Sequence, residues 1–168
     1  MTYSDFSICS STGKLFTCHK VFLAESSPVF KAMIESGMQE TKKLCLDIEC
    51  SEEVCENLIK FIYTEKMDEV ILRVNALSFL NLGEKYDIVQ LKVAVEECMV
   101  GCMNLSNMLQ YFLAGDLYKG EKIRAAAKIF LRRNWKSVVE QEGWKDLLKD
   151  RFDLMIELLE SLGQGSPS

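Results

Sequence analysis

The residues best suited to chemistry in this chain are its single histidine and its seven cysteines. His19 directly follows Cys18, the order of a possible Cys–His nucleophile pair. Adjacent residues on a strand point to opposite faces, so these two side chains cannot easily form a hydrogen bond. The sequence has no phosphate-binding glycine loop, nucleophile elbow or paired-carboxylate motif. We therefore predict that the protein is not an enzyme.

The cysteines could instead bind a metal ion. Cys98 and Cys102 are spaced to share a helix face, and Cys50 and Cys55 could complete a ligand set. All of these except Cys50 fall on apolar stripes, where cysteine behaves as a small hydrophobic residue. With one histidine and no CxxC motif, the sequence predicts neither a metal site nor a cofactor.

Composition narrows the class of protein. The chain has 168 residues, of which 48% are hydrophobic and 27% charged, a composition typical of a globular protein. No apolar run is long enough for a membrane span, and "MTYSDFS" lacks the features of a signal peptide. An odd number of cysteines suggests free thiols in a reducing compartment. The net charge of -5 disfavours nucleic acid as the main ligand. We expect a soluble protein of the nucleus or cytoplasm.

The first fifty residues contain the strand signals. "DFSIC" and "LFTC" alternate apolar and polar residues around Gly13, which predicts a hairpin over residues 5–18. Ser27 is placed to cap a helix with Pro28 in its first turn, and Gly37 to end it. "LCLDIE" predicts a third strand over residues 44–49, with a buried face of Leu44, Leu46 and Ile48.

Helical periodicity dominates the remainder. Ser51 opens a helix whose buried stripe is Val54, Cys55, Leu58, Ile59 and Ile62. Further stripes run from Leu77 through Leu80 and Leu82, and from Ile88 through Leu91 and Val95. After Asn104 the chain is predicted to be entirely helical, beginning with a stripe of Leu105, Met108, Leu109 and Phe112. The fold class is therefore α+β, a small three-stranded sheet flanked by helices and followed by an all-helical extension.

Met38 lies between Gly37 and polar residues, an unusual place for a large apolar side chain. If Gly37 is the C′ residue of the helix, Met38 would contact Met33, as in a Schellman ending. An adaptable apolar side chain on a loop is equally suited to enter a pocket on a partner protein. Local sequence does not choose between these roles.

Residues 119–136 form a strongly basic stretch. Seven of these residues are Lys or Arg and only Glu121 is acidic. Such a helix could dock an acidic partner, although a solvated polar face is the commoner explanation.

Residues 5–49, "DFSICSSTGKLFTCHKVFLAESSPVFKAMIESGMQETKKLCLDIE", resemble the first half of a BTB/POZ domain. The resemblance continues through "FIYTEK" and "LGEKYDIVQLK". "AGDLY" and "EGWKDLL" are most similar to the speckle-type POZ (MATH-BTB) adaptors. The landmarks shared with the family are Asp5, Gly13, Phe16, His19, Lys20, Phe22, Leu23, Ala24, Pro28, Val29 and Phe30.

The resemblance implies a BTB/POZ domain over residues 1–103, a three-box or partial BACK extension over 104–162, and a disordered tail over 163–168. It implies a substrate adaptor of a cullin-three RING ubiquitin ligase that binds the cullin N-terminal domain. The residues expected to bind cullin are Met38, Gln39, Glu40, Tyr63, Met103, Asn104 and Leu105.

The resemblance also implies a homodimer, with Asp5, Lys20, Phe22 and Leu23 at its interface. In that family a helix before the first strand builds much of the interface. Here only Met1 to Ser4 precede Asp5, so either the sequence is a piece of a longer chain or the dimer is weaker. The alternatives are a transcription-regulator BTB homodimer that recruits a corepressor, and a plain self-assembly module.

Overall fold

The structure, a computed structural model, describes residues 3–36 and 44–163, apart from the side chains of residues 147 and 148. The chain forms two compact units, Met1–Cys98 (unit 1) and Met99–Ser168 (unit 2). The division lies within the helix Val89–Gly101, ahead of the boundary predicted after residue 103. Within the described ranges, none of the helices has the length and hydropathy needed to cross a membrane.

Unit 1 contains a three-stranded sheet in the order β2-β1-β3, formed by β1 (Phe6–Cys9), β2 (Leu15–Cys18) and β3 (Cys45–Asp47). β1 pairs antiparallel with β2 and parallel with β3. The turn between β1 and β2 places Gly13 at a φ of 85°, which a residue with a Cβ rarely adopts. The predicted α+β class and hairpin are confirmed.

The third strand is shorter than predicted. Leu46 and Ile48 are buried as expected, but Leu44 is 51% exposed and has a φ of 54°. A residue in the left-handed region cannot continue the alternating pleat, so Leu44 leaves the buried face. The prediction that Leu44 belongs to this face was therefore wrong.

Two helices follow the hairpin. The sequence did not predict α1 (Lys20–Ser26), whereas α2 (Pro28–Glu35) begins as expected. The Phe30 backbone N–H donates to Ser27 Oγ at 2.9 Å, and Pro28 occupies the first helical position. Ser36 is the C-cap of α2; the predicted stop at Gly37 lies outside the described residues.

Four more helices lie in or begin in unit 1: α3 (Glu52–Thr64), α4 (Glu69–Val74), α5 (Ala76–Lys85) and α6 (Val89–Gly101). The predicted α3 stripe is buried throughout. In α5 the most deeply buried residues are Phe79 and Leu80, whereas Leu77 is only half-buried. The stripe of α5 therefore runs from Ala76 through Phe79 and Leu80, not from Leu77.

Unit 2 is helical, comprising α7 (Met108–Leu117), α8 (Glu121–Val139), α9 (Glu142–Asp150) and α10 (Phe152–Gly163). Its buried core draws on all four helices. Leu105, predicted to begin the first buried stripe of this region, is instead 37% exposed because it lies in the loop before α7. The core residues are Met108, Leu109, Phe112, Ala127, Leu131, Val138, Trp144, Leu154, Met155 and Leu158.

An ionic network ties three helices of unit 2 together. Glu157 on α10 accepts hydrogen bonds from Arg124 and forms an ion pair with Lys128 at 2.7 Å, both on α8. Asp116 on α7 pairs with Arg124 at 2.7 Å and with Arg151 at 2.8 Å. Part of the basic stretch therefore stabilises the unit internally.

Replacing Glu157 with Gln should destabilise unit 2 in a pH-dependent manner. The hydrogen bond from Arg124 lowers the pKa of the Glu157 carboxyl group. Its stabilisation is therefore fully present above the unfolded-state pKa of about 4.3 and is lost as the pH falls through the lower folded-state value. At pH 7, Glu157→Gln should reduce the free energy of unfolding by about 1 kcal/mol.

The measurement is urea unfolding at pH 7 and at progressively lower pH, followed by the fluorescence of Trp135 and Trp144, which are both in unit 2. Glu160→Gln, an exposed position on the same helix, is the control and should change stability by less than about 0.5 kcal/mol. A Glu157→Gln effect that persists unchanged in acid would contradict this explanation.

Candidate interaction surface

The cullin-binding triplet predicted from the sequence, Met38-Gln39-Glu40, lies outside the described residues, as does the proposed contact of Met38 with Met33. The structure does describe the helix that leads to it. Ser27 is fully buried; its hydroxyl accepts the Phe30 N–H and donates to the Tyr86 carbonyl. This hydroxyl fixes the start of α2 against the end of α5.

Tyr63, the other cullin-binding residue predicted in unit 1, is held by His19. The His19 backbone N–H donates to the Tyr63 hydroxyl at 2.8 Å, and His19 Nδ1 lies 2.7 Å from the same oxygen. Burial raises the pKa of the Tyr63 hydroxyl, so it stays protonated and can donate to Nδ1. Its single oxygen therefore ties the end of α3 to the start of α1.

This arrangement removes the basis for a Cys18–His19 catalytic pair. Nδ1 of His19 is hydrogen-bonded to Tyr63, and Cys18 is fully buried. Burial raises the pKa of the Cys18 thiol to about 12, so the thiol is protonated at neutral pH and is a poor nucleophile. In the described ranges no cluster of His, Cys, Asp or Glu side chains is arranged to hold a metal ion.

An open groove of about 400 Å³ lies beside Tyr63. The Phe22 and Tyr63 rings stack with centroids 4.4 Å apart and form part of its wall. Glu25 and Glu65 also line the groove, together with Ile88. The sequence did not predict the groove, because its residues come from α1, α3 and the turn before α6.

The four residues predicted for the dimer interface have different environments. Phe22 is 43% exposed on α1. Asp5 Oδ1 accepts the Lys20 backbone N–H at 2.9 Å, so Asp5 caps α1, while the Lys20 ammonium lies 5.6 Å from the centroid of the Phe6 ring. Leu23 is fully buried. The Leu23 side chain has no surface to offer a second chain, which corrects that part of the prediction.

In unit 2, the predicted residues Met103, Asn104 and Leu105 share the loop between α6 and α7. Asn104 Oδ1 accepts the Ser106 backbone N–H at 2.9 Å, and the Asn104 backbone N–H donates to Asn107 Oδ1 at 2.7 Å. Met103 packs against the core of the unit, whereas Asn104 and Leu105 are exposed. These local hydrogen bonds give the loop a defined conformation.

A second groove, of about 470 Å³, begins next to this loop. Leu109 and Leu113 of α7 form its apolar side, and Asp146 and Asp150 of α9 its acidic side. Gln141 Nε2 donates to the Leu105 carbonyl at 2.6 Å, which joins the predicted loop to the groove. Local sequence patterns do not indicate this groove, because its two sides are more than twenty residues apart in the chain.

Residues 1–103 match a family model described as "BTB/POZ domain". Two Mus musculus proteins, "TD and POZ domain-containing protein 1" and "TD and POZ domain-containing protein 1-like", are each 31% identical to this chain over 157 residues. The similar region covers 93% of this chain and 43% of each relative. The chain therefore spans less than half the length of the curated relatives that it matches.

Removing the Tyr63 hydroxyl should weaken unit 1 while leaving its ring in place. Tyr63→Phe takes away the hydrogen-bond partner of both the His19 N–H and Nδ1. We expect the free energy of unfolding to fall by about 1–2 kcal/mol, measured by urea unfolding with far-UV circular dichroism. Tyr3→Phe, at a position that is 92% exposed, is the matched control. Equal stability of the two variants would show that the bridging hydroxyl is unimportant.

Proposed function

The chain belongs to the BTB/POZ domain family, and on this premise we propose that it is a dimeric substrate adaptor for a cullin-three RING ubiquitin ligase. Membership of this family supports a role as a protein-interaction module. The observation that carries the finer proposal is the sequence Met38-Gln39-Glu40, an apolar-x-Glu triplet directly after α2. In this proposal, Met38 enters a pocket on the cullin N-terminal domain and Glu40 fixes the loop.

Two contacts in unit 1 support this proposal. The buried Ser27 hydroxyl holds α2, so the segment after α2 starts from a fixed point. Tyr63 is tied to His19 and presents a partly exposed ring beside an open groove. A rigid aromatic side chain at the rim of a groove is typical of residues that contribute strongly to binding, because little conformational entropy is lost.

Unit 2 provides a second set of proposed contacts. Asn104 and Leu105 are exposed on a hydrogen-bonded loop, and Met103 supports that loop from the core side. We propose that residues 104–162 are a three-box or partial BACK extension of the speckle-type POZ (MATH-BTB) kind. The groove bordered by Leu109 and Leu113 then accommodates an apolar segment of the same cullin partner.

The proposed dimer uses Phe22 with Asp5 and Lys20, while Leu23 supports α1 from within. Phe22 is exposed next to Tyr63, and Asp5 holds the first turn of α1. An intracellular location in the nucleus or cytoplasm is part of the same proposal, since that is where the ligase works.

The direct test of the adaptor function is calorimetric titration of the chain with the purified N-terminal domain of cullin-three. Binding at micromolar affinity or tighter is expected. Binding that is undetectable at high micromolar concentrations would refute the adaptor proposal and favour the corepressor-recruiting or self-assembly alternatives.

Met38→Asp should weaken cullin binding by roughly 2 kcal/mol or more, because a charged group would enter an apolar pocket. The melting temperature should change little. Val70→Asp is the matched control: it places the same charge at a 69% exposed apolar position and should leave binding unchanged. If Met38→Asp lowers the melting temperature while binding is retained, Met38 serves the end of the helix instead.

Phe22→Ser should shift the monomer–dimer equilibrium by about tenfold or more towards monomer, because Phe22 supplies the proposed apolar contact. Light scattering over a concentration series measures this shift. Val74→Ser, at a 74% exposed position, should have no effect. A chain that is already monomeric at high concentration, or a Phe22→Ser variant that still dimerises normally, would exclude this interface.

A further inference from the structure

Helix α8 carries a concentration of positive charge that contrasts with the chain as a whole. The protein has 20 Lys and Arg residues against 25 Asp and Glu residues. In the nineteen residues of α8, six are basic, and only Glu121, in the first turn, is acidic. Positive charge is therefore more concentrated on α8 than in the acidic chain as a whole.

Internal contacts use only one side of this helix. Arg124 and Lys128 face Asp116 and Glu157 in the ionic network of unit 2. Arg132 Nε donates to the Ser161 carbonyl at 2.6 Å. These contacts account for the basic residues that face α7 and α10. They do not involve the basic residues on the outer face of α8.

The outer face is basic with an apolar centre, and we define it as Ala125, Ile129, Arg133 and Lys136. All four are exposed, and Ile129 has 49% of its surface accessible. The first three share one side of the helix, since successive members are four residues apart, and Lys136 follows a kink at Asn134. Neither Arg133 nor Lys136 forms an ion pair with any residue in the described ranges.

This pattern differs from that of a helix face selected only for solubility. Solvated faces typically mix charges of both signs, with oppositely charged residues four apart. Here the exposed face carries Arg133 and Lys136 and no acidic residue. Combined with the exposed Ile129, this charge of one sign points to a ligand that supplies negative charge and an apolar contact.

We infer that this basic face docks an acidic, amphipathic segment of another protein. Carboxylates of the segment pair with Arg133 and Lys136, and an apolar side chain covers Ile129. From Ala125 to Arg133, ahead of the kink at Asn134, the face spans about 12 Å along the helix, which fits roughly two turns of a helical partner. A long polyanion is disfavoured, because beyond this face it would meet the negative charge of a protein whose net charge is -5.

The test uses a fluorescein-labelled synthetic peptide of about twelve residues, with leucines at i, i+4 and i+7 flanked by glutamates. Fluorescence anisotropy with the full chain at low salt should give micromolar binding that weakens as salt is added. The double variant Arg133→Glu with Lys136→Glu should bind at least about tenfold more weakly. Ile129→Ser should weaken peptide binding several-fold, and this loss should persist when salt is added.

The matched control is Lys145→Glu with Lys149→Glu, which makes the same charge change at exposed positions of α9. It should reduce binding less than about twofold. Equal loss in both double variants, or no peptide binding to the wild-type chain, would overturn the inference. Tighter binding of a single-stranded RNA oligonucleotide or of phosphatidylserine vesicles would overturn it in favour of those ligands. Unchanged far-UV circular dichroism confirms that each variant is folded.

Discussion

The buried hydroxyl of Ser27 is the contact on which the proposed binding surface depends. It accepts the Phe30 N–H in the first turn of α2 and donates to the carbonyl of Tyr86, so one oxygen joins the start of α2 to the end of α5. A buried hydroxyl is tolerated only when its hydrogen bonds are made, and here both are. The direction of α2, and hence the origin of the segment containing Met38, follows from this contact.

In unit 1, polar side chains that the sequence marked as candidate site residues form hydrogen bonds that hold the backbone in place. Asp5 accepts a backbone N–H at the start of α1, and the Tyr63 hydroxyl accepts one from His19. Cys18 is buried and protonated at neutral pH. These groups therefore shape an exposed surface around Phe22 and Tyr63, and this distribution of roles is that of an interaction module.

Helix α8 shows how one basic stretch can serve two purposes. The side that carries Arg124 and Lys128 is neutralised by Asp116 and Glu157, because charges brought together in a folded unit are stable only when paired. On the outer side, Arg133 and Lys136 form no ion pair within the described residues. The packing of α10, which supplies Glu157, therefore separates the basic residues that form internal ion pairs from those on the outer side of α8.

Local sequence patterns predicted the fold class and most of the helices, because hydrophobic periodicity, the Ser27 cap and the Gly13 turn are local signals. They missed α1 and α4, which are too short for a periodic stripe, and they misplaced Leu44, whose left-handed φ breaks the strand. The exposure of the predicted site residues, in contrast, follows from tertiary packing. Leu23 is buried and Phe22 is not, although they are neighbours, and the two grooves and the pairing of Arg124 arise from elements distant in sequence. Burial and charge pairing depend on long-range packing, which a local pattern does not encode.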